Sequence, residues 1–264
     1  MKELRKKWYR FFKNEGKVCG ALFGIVLLGV LVIEFLSPGR LGTVDTGKYD
    51  IIMKEAGLKY TEDELQSDRP LTYDHVMEEY DYGHFSYTKL LAPSGIHSVI
   101  YPLSLIRAVT KPFGIKFSMK YLYLLYALLA AICVSVITRG ITEAWGAPLG
   151  VIAGVILIFL LADGNLNAYF GSLYDTGTVV MGLLLVMASL IRAFSYRKGK
   201  GFITIFPVIV SFLFLFNAST LSILFFPAAI WSGIILLKKE QKNFYHKKIA
   251  VFLITGLLVT GVSS

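Results

Sequence analysis

Most of the ionisable side chains that could do chemistry lie in one polar segment, Pro38 to Ser98, which separates two apolar stretches. The segment holds more than half of the chain's carboxylates and three of its four histidines. Its carboxylates nearest the first apolar stretch are Asp45 and Asp50. A carboxylate held near a membrane and facing a lipid-linked substrate can act as a general base on a hydroxyl group. The segment therefore contains two candidates for such a base.

Two further polar clusters lie outside the acidic part of this segment. One opens an apolar segment between Gly95 and Leu103, and the other is the short connection from Asp163 to Asp175. A cation or a tyrosine hydroxyl beside a carboxylate can hold a phosphate group. The candidate substrate-binding residues are His97, Tyr101, Asp163, Asn165, Tyr169 and Asp175. Such acids also serve as helix caps and turn residues, and that alternative stays open.

The composition shows what kind of protein must position these residues. Hydrophobic residues make up 55% of the chain and its mean hydropathy is +0.61, whereas soluble domains are about 45–50% apolar. The formal charge of +9 comes from clusters beside apolar stretches, as in the cytoplasmic loops of membrane proteins. We therefore expect membrane lipid, and not nucleic acid, as the partner. Cys19 and Cys133 lie in apolar stretches, which argues against a disulfide framework and a thiolate metal site.

Hydropathy and charge together predict an all-α, polytopic transmembrane protein with about seven spans. Residues 1–17 are a basic, cytoplasmic N-terminus, and residues 18–36 form an uncleaved signal-anchor helix. Residues 37–120 form a long outer loop with short juxtamembrane helices, and residues 121–264 form a bundle of six spans that we expect to continue beyond Ser264. The predicted spans of the bundle are 121–138, 147–162, 178–191, 202–216, 220–237 and 249–262.

One segment decides the orientation of everything after it. Val99 to Phe113 is apolar at helical spacing and suits a helix lying in the outer membrane interface. If this segment crossed the membrane instead, the later basic clusters would face outward, against the positive-inside rule. The interfacial interpretation leaves four basic residues on the outer side: Arg107, Lys111, Lys116 and Lys120.

The order of these parts resembles the amino-terminal half of the GT-C superfamily of polytopic glycosyltransferases. Members typically show a signal anchor, a long outer loop with an early catalytic acid, a Pro-Pro-Leu-like segment, and a helical hairpin with a short Asp-containing outer loop. Here the matching parts are the helix 18–36, Asp45, the segment His97 to Leu103, and the connection Asp163 to Asp175. The stretch Phe216 to Pro227 is similar to a later helix start in that superfamily.

The resemblance implies an activity and assigns roles. A sugar would pass from a polyprenyl-phosphate carrier to a glycan or protein acceptor on the outer face of the cell membrane, for a cell-envelope glycan. Asp45 would be the catalytic base, with Asp50 as the second candidate, and His97 would contact the phosphate. The lipid-linked sugar is a substrate, and the resemblance leaves open whether a divalent metal takes part.

A second interpretation comes from a different functional class. The chain could be a non-catalytic membrane protein: a transporter, a flippase component or a glycan-assembly subunit. Transporters place ionisable residues in the middle of the membrane, within broken helices. Here the predicted spans carry almost no charge and the acids lie at their outer ends. That pattern favours surface chemistry.

Overall fold

Long helices form most of the structure, a computed structural model that describes residues 2–36, 49–61, 79–87, 90 and 97–195. Side chains are described from Asn14 onward, except those of Tyr49, Leu190 and residues 193–195. A 3₁₀ turn, Lys111–Phe113, follows the helix that ends at Thr110. The elements are α1 Lys2–Leu36, α2 Tyr49–Ala56, β1 Leu58–Lys59, β2 Glu79–Tyr82, α3 Ile100–Thr110, β3 Phe117–Ser118, α4 Met119–Trp145, α5 Ala147–Leu161, α6 Gly164–Phe170 and α7 Asp175–Ser195.

Two of these helices are long and apolar enough to cross a membrane, namely Asn14–Leu36 within α1 and Met119–Trp145. A third crossing results if α5 and α6, which meet at a bend of 69°, count as one span. Fifteen residues of α5 rise only about 22 Å, less than the roughly 30 Å of a hydrocarbon core. The helices predicted at 18–36, 121–138, 147–162 and 178–191 are all present. The three later spans lie outside the described residues, so the count of seven stays a prediction.

A seam of glycines joins α1 to α4. Gly16, Gly20 and Gly24 recur every fourth residue and therefore share one helix face. A Cβ atom at Gly20 would lie 2.5 Å from the carbonyl oxygen of Ser135 and 2.8 Å from Cβ of Arg139. Small residues allow transmembrane helices to approach this closely, and dispersion contacts then hold the pair together.

The two helices run antiparallel. Near the start of the membrane-crossing part of α1, a Cβ at Gly16 would touch Glu143, close to the end of α4. Near the end of α1, the carbonyl of Leu31 accepts a hydrogen bond from the Tyr123 hydroxyl at 3.0 Å. The end of α1 at Leu36 and the start of α4 are therefore at the same end of the bundle.

A small three-stranded antiparallel sheet lies at that end, in the order β1-β2-β3. Leu58 pairs with Tyr82, and Tyr80 pairs with Phe117. The sheet was not predicted, because strands of two to four residues are too short to show alternation in the sequence. The prediction of a helical membrane protein is confirmed, with this sheet as an addition to it.

The buried side chain of Arg107 locks α3 onto the sheet. Its guanidinium donates to the carbonyl oxygens of Ala56, Gly57 and Gly83 at 3.3, 3.1 and 2.5 Å, and it lies over the ring of Tyr82 at 5.0 Å. Arg107 is 3% exposed. One of the four basic residues that the interfacial interpretation leaves on the outer side is thus buried and holds α3 against the sheet.

Candidate functional site

Two segments predicted to bind substrate meet at the carboxylate of Asp175. Its Oδ2 lies 2.7 Å from Nδ1 of His97. Its Oδ1 accepts hydrogen bonds from the Ser98 hydroxyl at 2.8 Å and from the backbone N–H of Val99 at 2.9 Å. Residues separated by more than seventy positions in the chain are therefore fixed to one another by a single side chain.

Helix-end chemistry explains why Asp175 is placed there. α3 begins after Val99, whose side chain makes no capping hydrogen bond, so the first backbone N–H groups of the helix need an acceptor. Asp175 supplies it from another element, while also standing in the first turn of its own helix, α7. The positive ends of two helix dipoles favour a carboxylate at this point.

The contact between His97 and Asp175 leaves one nitrogen of the imidazole available. With Nδ1 directed at Asp175, Nε2 is the nitrogen that can meet a ligand. The side chain of His97 is 40% exposed and that of Asp175 is 24% exposed. A histidine held this way can donate from Nε2 to a phosphate oxygen when protonated, or accept a proton there when neutral.

Glu55 is the carboxylate that approaches His97 in the described part of the acidic segment. Its Oε2 accepts from the backbone N–H of His97 at 3.3 Å, which joins α2 to the same site. We did not single out Glu55 from the sequence, since nothing there distinguishes it from the surrounding acids. Asp50 lies in the first turn of α2, is exposed, and accepts a hydrogen bond from Tyr60 at 2.8 Å. Asp45 lies outside the described residues.

The connection from Asp163 to Asp175 is not the plain loop that we expected, because it contains α6. Asp163 is the N-cap of that helix and accepts from the backbone N–H groups of Asn165 at 2.8 Å and Leu166 at 3.4 Å. The side chain of Asn165 is exposed. Tyr169 lies near the end of α6, where its carbonyl accepts from the Ser172 hydroxyl at 3.0 Å. Among the described residues, none of these three side chains forms a hydrogen bond with His97.

Tyr101 lies in the first turn of α3, and its hydroxyl has a different environment from these side chains. The oxygen is buried and has no hydrogen-bond partner among the described residues. Burial raises the pKa of Tyr101 above its usual value. A neutral hydroxyl in this position can donate to a ligand or to an ordered water molecule.

A second polar contact at this end of the bundle was not predicted from the sequence. Nδ2 of Asn167 on α6 donates to the carboxylate of Glu34, near the end of α1. An ionisable residue near a membrane is stable when partners satisfy it, and Asn167 is one such partner of Glu34. The oxygen Oδ1 of Asn167 is buried without a hydrogen-bond partner in the described part of the chain.

The described residues contain no group of three or more His, Cys, Asp or Glu side chains that could hold a metal ion. The pair formed by His97 and Asp175 alone provides fewer protein ligands than catalytic metal sites normally use. What the described site offers instead is a fixed imidazole, a buried tyrosine hydroxyl and nearby carboxylates. Such groups suit proton transfer and contact with an anion.

Comparison with known proteins places the chain in a family. No curated protein and no solved structure matches the chain. The model of one protein family, described as the YfdI N-terminal transmembrane domain, matches residues 5–263. That range covers nearly the whole sequence, and its description agrees with the membrane-crossing helices of the structure. The chain is therefore a membrane protein that belongs to the YfdI N-terminal transmembrane domain family.

Proposed function

We propose that the chain is the membrane module of a GT-C-type glycosyltransferase. It moves a sugar from a polyprenyl-phosphate carrier to a glycan or protein acceptor on the extracytoplasmic face of the cell membrane. The N-terminus is cytoplasmic in this proposal, so the end of the bundle at Leu36 faces outward.

The observation that carries the proposal is the contact between His97 and Asp175. The resemblance concerns the order of parts along the sequence, and it requires the Pro102-containing segment and the hairpin connection to act on one substrate. Their contact through an aspartate supports this requirement. Glu55 and Tyr101 add a carboxylate and a hydroxyl to the same elements.

The proposed reaction is a single displacement at the anomeric carbon of the sugar. Asp45 accepts the proton of the acceptor hydroxyl, and the acceptor oxygen forms a bond to the anomeric carbon of the sugar. The bond from that carbon to the carrier phosphate breaks, and the electron pair leaves with the polyprenyl phosphate. Nε2–H of His97 donates to an oxygen of this departing phosphate, since charge-assisted hydrogen bonds stabilise the developing charge.

The test uses the full chain in proteoliposomes that contain radiolabelled polyprenyl-phosphate hexoses and cell-envelope acceptors. We expect Asp45→Asn to lower the transfer rate by about 10²–10⁴-fold, the usual contribution of a general base. His97→Gln should also lower transfer, whereas His84→Gln is the matched control because His84 is an exposed histidine of the same outer part. Unchanged transfer by Asp45→Asn would remove it from the mechanism, and equal losses in both histidine variants would remove His97.

Asp175→Asn separates a chemical role from a structural one. The amide keeps an oxygen for Ser98 and Val99, but it presents an NH₂ group where Oδ2 faces His97. We expect the variant to fold and to lose transfer. Transfer at the wild-type rate would show that Asp175 only caps the helix. Movement of lipid-linked sugar across the bilayer without any transfer would favour the flippase or transport interpretation instead.

A further inference from the structure

The turn that connects α3 to α4 has an exposed surface unlike that of a water-facing loop. Along α3 the exposed large side chains are Leu105 at 55% and Val109 at 59%. Beyond it come Phe113, which is 77% exposed, and Ile115 at 44%. The opposite face of α3 is buried in the protein. A helix that is apolar on both faces must meet a second apolar environment.

The backbone presents these residues as a protruding tip. Gly114 has a positive φ of 69°, a conformation that glycine adopts without a steric penalty. A Cβ atom at Gly114 would find no atom within 4 Å. The chain therefore reverses in open space directly after Phe113, which leaves that ring at the apex.

Lysines surround the apolar tip. Lys111, Lys116 and Lys120 are all exposed, and Nζ of Lys116 lies 3.7 Å from Oδ1 of Asp81. Lysine side chains at a membrane surface bury their methylene groups and keep the ammonium group at the level of the lipid headgroups. An apolar face bordered by lysines is the pattern of segments that bind to anionic membranes.

The tip is adjacent to a membrane-crossing helix. α4 begins at Met119, immediately after β3, and is apolar enough to span the bilayer. Exposed apolar side chains continue along one side of α4, at Tyr121, Leu124, Leu128 and Ile132. This continuity argues for lipid, and against a protein partner, as the occupant of the tip.

We propose that the tip formed by Leu105, Val109, Phe113 and Ile115 inserts into the leaflet next to the sheet, and that Lys111, Lys116 and Lys120 bind the phosphates of anionic phospholipids. The bound lipid is a structural headgroup ligand, in addition to any carrier lipid that is a substrate. This inference stands independently of the proposed activity. It also accounts for basic residues that the positive-inside rule does not expect on this side.

Insertion is tested by spin labels on the full chain in nanodiscs of phosphatidylcholine and phosphatidylglycerol. One spin label is attached to the variant Phe113→Cys, and the matched control label is attached to His84→Cys, at an exposed position. The two native cysteines are buried, so they compete little for the label. We expect the label at Phe113 to be relaxed by oxygen and protected from a water-soluble nickel chelate, and the label at His84 to show the opposite. Access of the chelate to both labels would overturn insertion. Protection of Phe113 from both reagents would overturn it in favour of a docked protein.

Headgroup binding is tested by native mass spectrometry of phosphatidylglycerol retained over phosphatidylcholine. Removing one lysine near an anionic surface should lower retention about fivefold, and Lys116 should contribute less because Asp81 offsets its charge. Lys111→Gln/Lys116→Gln is compared with Lys54→Gln/Lys59→Gln, which removes two exposed lysines elsewhere in the same outer part. A selective loss in the first variant supports the site, and equal losses or none overturn it. Unchanged thermal midpoints show that both variants fold.

Discussion

The glycine seam between α1 and α4 allows a quantitative test of the packing. Gly20→Ala adds a Cβ atom that would lie 2.5 Å from the carbonyl oxygen of Ser135. Carbon atoms normally approach carbonyl oxygens only to about 3.3–3.6 Å. The contact is with backbone, which cannot rotate away, so the helices must separate. Gly29→Ala is the matched control because a Cβ there would meet no atom within 4 Å.

The difference in stability between the two variants measures the free-energy cost of the close contact alone. Replacing glycine by alanine inside a helix is worth about 0.8–1.0 kcal/mol of helix propensity, and this gain is common to both variants. Overpacking a well-packed contact costs about 1–3 kcal/mol. We therefore expect Gly20→Ala to be less stable than Gly29→Ala by about 1–3 kcal/mol. Gly24→Ala should fall between them, since its Cβ would lie 3.0 Å from the carbonyl oxygen of Ala131.

The assay is reversible unfolding by SDS in mixed micelles, with the folded fraction followed by pulse proteolysis. The midpoint should shift to lower SDS for Gly20→Ala, relative to Gly29→Ala. Gly16→Ala is an internal check and should destabilise less than Gly20→Ala. The closest contact of its Cβ would be Cγ of Glu143 at 2.7 Å, which belongs to a flexible side chain that can move. If Gly20→Ala were as stable as Gly29→Ala, the close approach of α1 and α4 at this face would be refuted.

Three further predictions follow from buried contacts. Arg107→Met removes the guanidinium from three backbone carbonyls, of which that of Gly57 keeps the N–H of Gly83 as a donor at 2.7 Å. The substitution should cost about 1–3 kcal/mol for each buried group left unsatisfied. Hydrogen exchange should speed up in β1 and β2, while α4 exchanges as before. Burial raises the pKa of Tyr82, partly opposed by its hydrogen bond to Thr110, so the unfolded chain releases this proton first and stability should fall as pH rises above about 10. Tyr82→Phe should flatten that decline in thermal midpoint, and an equally steep decline would contradict the assignment. Gly154→Ala, whose Cβ would lie 2.6 Å from the ring of Phe23, should destabilise by about 1–3 kcal/mol, and Phe23→Leu should recover part of the loss in a double-mutant cycle.

The sequence predicted the helices well where hydropathy alone determines them. The helix expected at 121–138 is present, but α4 continues past Arg139 to Trp145. A charged residue limits a membrane span but does not break a helix, and here Nε of Arg139 donates to Oε1 of Glu143, one turn later, at 2.9 Å. The packing face formed by the glycines of α1 was not predicted, because hydropathy does not weigh it.

The candidate site was only partly predictable. His97 and Asp175 were chosen independently as polar residues at segment ends, and the structure brings them together. Their pairing could not be read from the sequence, since it depends on which helix start needs an acceptor after the bundle has packed. Glu55 and Asn167 were missed for the same reason. Each becomes distinctive only through a partner from a distant segment.

The polar contacts and the glycine seam are parts of one mechanical arrangement. Glu34 holds α6 from the end of α1 through Asn167, and α6 leads directly to Asp175. After Asp175, on α7, the hydroxyl of Thr178 lies 2.5 Å from the hydroxyl of Tyr126 on α4. The position of Asp175 therefore depends on α1 and α4 at once. A variant that separates these two helices at the seam should also weaken the contact between Asp175 and His97. The packing of the bundle thereby sets the geometry of the site, although none of the seam glycines lies near it.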